Sequence, residues 1–367
     1  MTEIQSSAQV QLDSRLNGPL SNGASVNGMQ VVTYISKGGD GHHDDYYRLF
    51  AAAAIDIGVS LRFMPRSSSV ARRRGIWFYS MFDTWTTETA RALLAAIFRS
   101  LAGKKTIGLL FRPGDCFVKR SFKSSFRRML FGVVSRLRNV HLLSIFPFTV
   151  SPEISSVATN WIYEPQLWDL QYLGVPDMQN VEPLQAQILG LADKRLIVVA
   201  LGSQCREKGF DYLAELWVSS AELRASHLFV ACGVVLPDSK PSARRFQEAG
   251  GMLLDRHIDD AELFCLYRNA DLVWSCYAPD YNQSSGIHGR AVQLGIPVVV
   301  RKGSYIDALG ETLSHPSLAL PYGAIGESIS LLQKWNPRRV DQERTESLVR
   351  HMRDHSLSVL ADALRGT

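Results

Sequence analysis

The sequence has no apolar run of about eighteen residues, so no transmembrane helix is expected. Cysteine is scarce. The five present (Cys116, Cys205, Cys232, Cys265, Cys276) are an odd number without Cys-x-x-Cys spacing. That argues against a structural zinc site and favours a reducing cytosol. There is no Gly-x-Ser-x-Gly elbow, no Walker lysine motif and no metal-spaced His/Cys set, so serine-hydrolase, P-loop and zinc chemistry are not expected. Acidic residues are absent from Ile57 to Phe82, where Arg62, Arg66, Arg72, Arg73 and Arg74 fall. From Arg112 to Arg138 eight basic residues face Asp115 alone. A basic first half implies an anionic partner, although the net charge of the chain is only +5. Residues 1–28 lack the charged start and apolar stretch of a signal peptide. Rich in Ser, Asn, Gly and Gln, they read as a disordered tail.

At 367 residues the rest suits two domains of about 150 residues each. Short apolar strands alternate with helical stretches. Met29 to Ile35, Val59 to Met64, Ile76 to Met81, Thr106 to Phe111 and His141 to Phe146 read as strands, and Thr86 to Leu101 as a helix. Alternation of this kind predicts parallel sheets covered on both faces. The division is 29–169 for the first domain, 170–191 for a connection, 192–335 for the second domain and 336–367 for a terminal helix. Ligands bind such sheets at the carboxyl ends of strands. That rule nominates Asp83 and Arg112, with Asp115, on the first domain.

The most informative stretch runs from Asp255 to Arg301. Leu272-Val-Trp274 reads as a buried strand, followed by a polar loop to Gly286, a helix from about His288 to Leu294, and the strand Pro297-Val-Val-Val300. A strand, a loop of small residues and a helix N-terminus expose free backbone N–H groups to an anion. Ser284, Ser285 and Gly286 are therefore read as a diphosphate cradle. Gly202 to Gly209, with Ser203, Arg206 and Lys208, forms a second polar turn after the strand Arg195 to Leu201. Cations there suit an anionic group such as a phosphate. The competing reading of Lys208 is a solvent-exposed loop lysine.

Three pieces in this order resemble the nucleotide-sugar half of the GT-B glycosyltransferases, in particular glycosyltransferase family 4 (glycosyl transferases group 1). They are Gly202-Ser-Gln-Cys-Arg-Glu-Lys-Gly209, Asp259-Asp-Ala-Glu-Leu263 with Tyr267-Arg-Asn-Ala-Asp271, and Gly295-Ile-Pro-Val-Val299. The resemblance implies a GT-B fold of two doubly wound, Rossmann-like domains facing a cleft, with the terminal helix crossing back. It implies a retaining transferase that binds no metal or cofactor and takes a UDP or GDP sugar as co-substrate. Lys208 matches the family's lysine in the first turn. Ser203 stands where the family has arginine, and Arg206 is the nearest substitute. His257 and Ile258 fall in the loop that commonly holds the nucleotide base. Gly38, Gly39 and the neighbouring His42 fall in the loop lining the acceptor side, where a bare turn and a helix cap are the alternative. The family's two glutamates, with seven residues between them, fall on Asn282 and Arg290. Asn282 can still bond a sugar hydroxyl. Arg290 has only donors and suits a phosphate or carboxylate.

On a helical wheel of Phe117 to Leu137, Phe122, Phe126, Met129, Leu130, Val133 and Leu137 share a face that is read as the core side. Arg120, Lys123, Arg127, Arg128 and Phe131 lie on the other. This second face suits either a helix resting on an anionic bilayer or a solvated basic surface with one stray aromatic. No nucleic-acid motif accompanies the charge. The expectation is a glycosyltransferase acting on a polysaccharide or lipid-linked oligosaccharide, cytoplasmic or peripheral on the inner face of the plasma membrane. A nucleotide-sugar 2-epimerase and a non-catalytic nucleotide-sugar-binding protein are the rivals.

Overall fold

The computed structural model describes residues 29–36, 42–65, 75–83, 87–117, 122–178 and 180–365. Gly38, Gly39 and Arg120 lie outside the described residues, as does the side chain of His42. Among the described residues, twelve strands form two six-stranded sheets. The first holds β1 (Gln30–Ser36), β2 (Val59–Pro65), β3 (Ile76–Tyr79), β4 (Thr106–Leu110), β5 (Val140–Ser144) and β6 (Asn160–Trp161), in the order β2-β1-β3-β4-β5-β6. The second holds β7 (Leu196–Leu201), β8 (His227–Cys232), β9 (Met252–Leu254), β10 (Leu272–Ser275), β11 (Val298–Arg301) and β12 (Ser317–Leu320), in the order β12-β11-β10-β7-β8-β9. Every pairing is parallel. Parallel strands need both faces covered, which is why β4, β7 and β8 are apolar almost throughout rather than alternating.

The second sheet's order reverses between β7 and β10, and the first sheet's between β1 and β3. At such a reversal the loops after the two strands diverge and leave a crevice. The turn after β7 and the loop after β10 are the two polar stretches singled out in the sequence.

Six helices matter below: α1 (His42–Asp56), α2 (Thr87–Leu101), α3 (Phe122–Val134), α4 (Asp260–Asn269), α5 (Gly286–Gln293) and α6 (Gln342–Arg365). Helix α6 returns to the first sheet. His355 stacks on Trp161 at 3.9 Å, Ser356 Oγ accepts from Tyr163 N at 3.1 Å, and Arg365 Nε donates to Ile57 O at 2.7 Å. The chain leading into it is tied to the second domain, since Val340 N donates to Gly295 O at 2.9 Å and Arg339 caps the carbonyl end of α4.

Helix α3 corrects one expectation. Phe131, placed on the basic outer face by the wheel, is buried at 1% exposure, together with Ser124, Gly132 and Val134. Phe122, Phe126, Met129 and Val133, assigned to the core, face outward instead. The buried stripe is partly polar for specific reasons. A Cβ on Gly132 would lie 3.1 Å from Ser156 O, so the helix approaches the backbone there. Arg127 turns inward and pairs with Asp115 at 3.1 Å.

Candidate active site

The turn after β7 and the loop after β10 are pressed together by backbone contacts. Ala278 N donates to Glu207 O at 3.1 Å, and Gly209 lies against Cys276. Gln204, buried under the turn, donates to the carbonyls of Ala200, Gly202 and Cys232 at 3.1, 2.8 and 3.1 Å. This staple holds the turn at the strand ends.

Lys208 points into the junction. Its Nζ donates to Tyr281 Oη at 2.9 Å and sits 4.1 Å and 4.6 Å from the ring centroids of Tyr281 and Tyr277. Tyr277 Oη is 2.6 Å from Ser285 Oγ. Tyr277 and Tyr281 therefore link Lys208 to the N-terminus of α5. Burial alone would lower the lysine pKa, but Tyr277, Tyr281 and Glu164 outweigh it and hold the ammonium above its ordinary value.

Ser285 caps α5, its Oγ accepting from His288 N. The cradle's donors already have a carboxyl partner. Ser284 Oγ donates to Glu164 Oε2, and the Ser285 N–H points to the same carboxylate. Glu164 comes from the opposite domain, just after β6, and is buried. Burial pushes its pKa up to about 7, against the pull of Ser284, Lys208 and Ser285. It is thus poised to hold or release a proton near neutrality.

The sequence reading did not select Glu164. Its signal is one acid in the apolar run Trp161-Ile-Tyr-Glu-Pro165, just past a strand end. Tyr305 lies close to it electrostatically, and stacks on Phe146 at 3.8 Å across the domain boundary.

The other nominated residues are distributed as follows. Asn282 Oδ1 accepts from Tyr305 N at 2.9 Å and from Arg301 Nη2 at 3.1 Å, so its carbonyl end is engaged within its own domain. Gly286 abuts Gln166, 3.2 Å from where a Cβ would stand. Arg290 meets a carboxylate rather than open cleft: its Nη2 is 2.5 Å from the buried Asp169. Gly202, Ser203 and Arg206 are exposed on the turn after β7. His257 is exposed beyond β9, and Ile258 is half-buried against the apolar core. Asp83 is buried between loops of the first sheet, accepting from Phe111 N and Arg112 N at 3.0 and 2.5 Å, with burial pushing its pKa up to about 6. The Arg112 side chain is exposed. Asp115 accepts from Gln283 Nε2 at 2.9 Å, bringing the loop after β4 against the loop after β10. Lys208, Ser284, Ser285 and Gly286 are gathered into one place, while His257, Asp83 and Arg112 stand on separate loops.

No family model matches the chain, and no curated protein matches it at a significant level. Solved structures do. WaaG, a glycosyltransferase involved in lipopolysaccharide biosynthesis, superposes with a TM-score of 0.53 at 13% identity, over 92% of this chain and 100% of that one. HepE of Anabaena, in complex with UDP and glucose, gives a TM-score of 0.53 at 12% identity, over 92% and 95%. The chain has the GT-B fold. A protein of Listeria monocytogenes described as a UDP-N-acetylglucosamine 2-epimerase is also similar, with a TM-score of 0.56 at 12% identity over 91% and 96%. No helix among the described residues is long and apolar enough to cross a membrane.

Proposed function

We propose that the chain is a glycosyltransferase of the family 4 kind. It would move a sugar from a UDP or GDP sugar to a polysaccharide or lipid-linked oligosaccharide, with retention and without a bound metal. The observation that carries this reading is the placement of Lys208 beside the capped N-terminus of α5 at the sheet's reversal point. A cation and a set of aligned N–H groups lie side by side there, as a leaving diphosphate requires. Lys208 neutralises the diphosphate as the glycosidic bond breaks, and Arg206 adds charge from the mouth of the turn. Ser284, Ser285 and Gly286 take the phosphate oxygens once Glu164 turns from them, and the loop of His257 and Ile258 meets the base. The acceptor enters from the first domain, past Asp83 and Arg112.

The test is a thermal-shift panel of sugar nucleotides. One nucleotide is expected to raise the melting temperature of the wild type, and Lys208→Ala to lose most of that rise. No shift with any nucleotide defeats the reading.

An epimerase is the second reading, favoured by one observation: Glu164 is a buried carboxyl with a pKa near 7, suited to carrying a proton to and from a sugar carbon. Incubation with the sugar nucleotide alone separates the two, since epimerisation needs no acceptor. Donor-only turnover abolished by Glu164→Gln would favour it.

A further inference from the structure

The outward face of helices α2 and α3 is neither a core face nor an ordinary solvated one. On α2, Leu94, Phe98 and Leu101 recur at spacings of four and three, and Phe98 and Leu101 are 69% and 79% exposed. On α3, Phe122, Phe126, Met129 and Val133 recur at four, three and four, with Phe122 at 85% and Met129 at 60% exposure. Each set is one stripe of its helix, and the two helices pack side by side. Contiguous apolar surface of this extent marks an interaction site.

Its charge is as one-sided as its apolarity. Between Arg91 and Arg138 the sequence has a single acid, Asp115, and among the described residues Arg91, Lys123, Arg128, Arg136 and Arg138 are exposed. That acid is already paired with Arg127. Beside the α3 stripe, Arg128 and Arg136 line a recess of about 460 Å³ together with Ser125, Met129 and Val133. Two guanidinium groups and a hydroxyl over an apolar floor suit a phosphate bearing an acyl-linked glycerol.

We infer that the α2–α3 face docks onto an anionic phospholipid bilayer, with the apolar stripes entering the headgroup layer and the bases meeting lipid phosphates. The combination decides the occupant. A second copy of this chain would bring its own exposed bases, Lys123, Arg128 and Arg136 among them, against these. A nucleic acid would satisfy the bases and leave seven large apolar side chains in water. Only an anionic membrane answers both features. The docked helix is joined to the cleft wall, since Arg127 of α3 holds Asp115, which accepts from Gln283 in the loop after β10.

The inference goes beyond the reading of the cleft and is tested without any nucleotide, so either can fail alone. The full chain is sedimented with vesicles of phosphatidylcholine and of phosphatidylcholine mixed with phosphatidylglycerol, at low and high salt. Binding is expected only to the mixed vesicles and weakened by salt. The pair Lys123→Glu and Arg128→Glu should reduce it by more than about ten-fold, at roughly five-fold for each lost charge. Phe98→Ser with Phe122→Ser should reduce it as much without altering the melting temperature, since both side chains are exposed. Equal binding to neutral vesicles would overturn the inference. So would wild-type binding by the Phe98/Phe122 variant, or a concentration-dependent dimer that this variant abolishes while vesicle binding persists. RNA binding that survives the apolar substitutions, with no vesicle binding, would also overturn it.

Discussion

At Gly209 the neighbouring strand leaves no room for a side chain. Its φ is +73°, and a Cβ would stand 2.0 Å from the carbonyl oxygen of Cys276. Gly202 has a similar φ of +84° but open space around it. Gly202→Ala should therefore cost only the left-handed backbone penalty, about 1–2 kcal/mol. Gly209→Ala must also push the turn off β10, and should cost more than about 4 kcal/mol. Urea unfolding of the two variants checks the difference, and Gly209→Ala should also lose the proposed nucleotide binding because Lys208 moves with the turn. Glu164 gives a second single-residue prediction. Its pKa rises from 4.5 to about 7 on folding. The native state then holds a proton that the unfolded state has released, so this contribution is fully present below pH 4.5 and is lost as pH rises through about 7. At full ionisation the loss is on the order of 3 kcal/mol. Glu164→Gln removes it while keeping an acceptor for Ser284. Unfolding free energies across that window should fall less for the variant than for the wild type. Asp83, raised in the same sense to about 6, leaves a smaller fall in both proteins.

Elements differed in how much of them could be read from the sequence. The strands of both sheets were legible because buried parallel strands are short apolar runs between polar turns, as in Leu196–Leu201 and Val298–Arg301. The cap of α4 is of the same local kind, since Asp259 precedes an apolar period with Glu262 three residues on. Both capping-box bonds form, at 2.8 and 3.3 Å. Asp259→Ala should cost about 1 kcal/mol of stability and Asp259→Asn much less, measured by urea unfolding. Helix α3 was misread because a wheel takes the apolar side for the core side. Nothing in a local pattern shows that Arg127 will be drawn inward by Asp115, or that Gly132 will lie against Ser156. Glu164 escaped for a related reason. Its chemistry depends on Ser284, which is 120 residues away, and on burial that only domain contact supplies.

At the scale of the whole molecule, a row of polar pairs joins the two domains. Gln283 donates to Asp115, Ser284 to Glu164, and Gln293 to both Asp169 and Gln166 O at 2.9 Å. Arg290 closes the row on Asp169 at 2.5 Å, with side-chain exposures of 16% and 3%. A guanidinium with donors only suited a phosphate or a carboxylate, and the carboxylate it meets belongs to the other domain. Removing one member of so buried a pair strands the other, at a cost of about 3–5 kcal/mol. Arg290→Ala should therefore weaken the coupling and split a single calorimetric transition into two. The effect carries a pH signature. Burial already raises the Asp169 pKa, with Arg290 the largest opposing influence. Without Arg290 that pKa climbs further, the carboxyl takes a proton in the folded state, and the penalty shrinks as pH falls. The deficit of Arg290→Ala should be larger at alkaline pH than at acid pH. Asp169→Leu combined with Arg290→Met, which leaves no stranded charge, should recover most of it. A deficit that does not vary with pH would mean that Arg290 acts through packing on Phe264, 5.2 Å away, rather than through the ion pair.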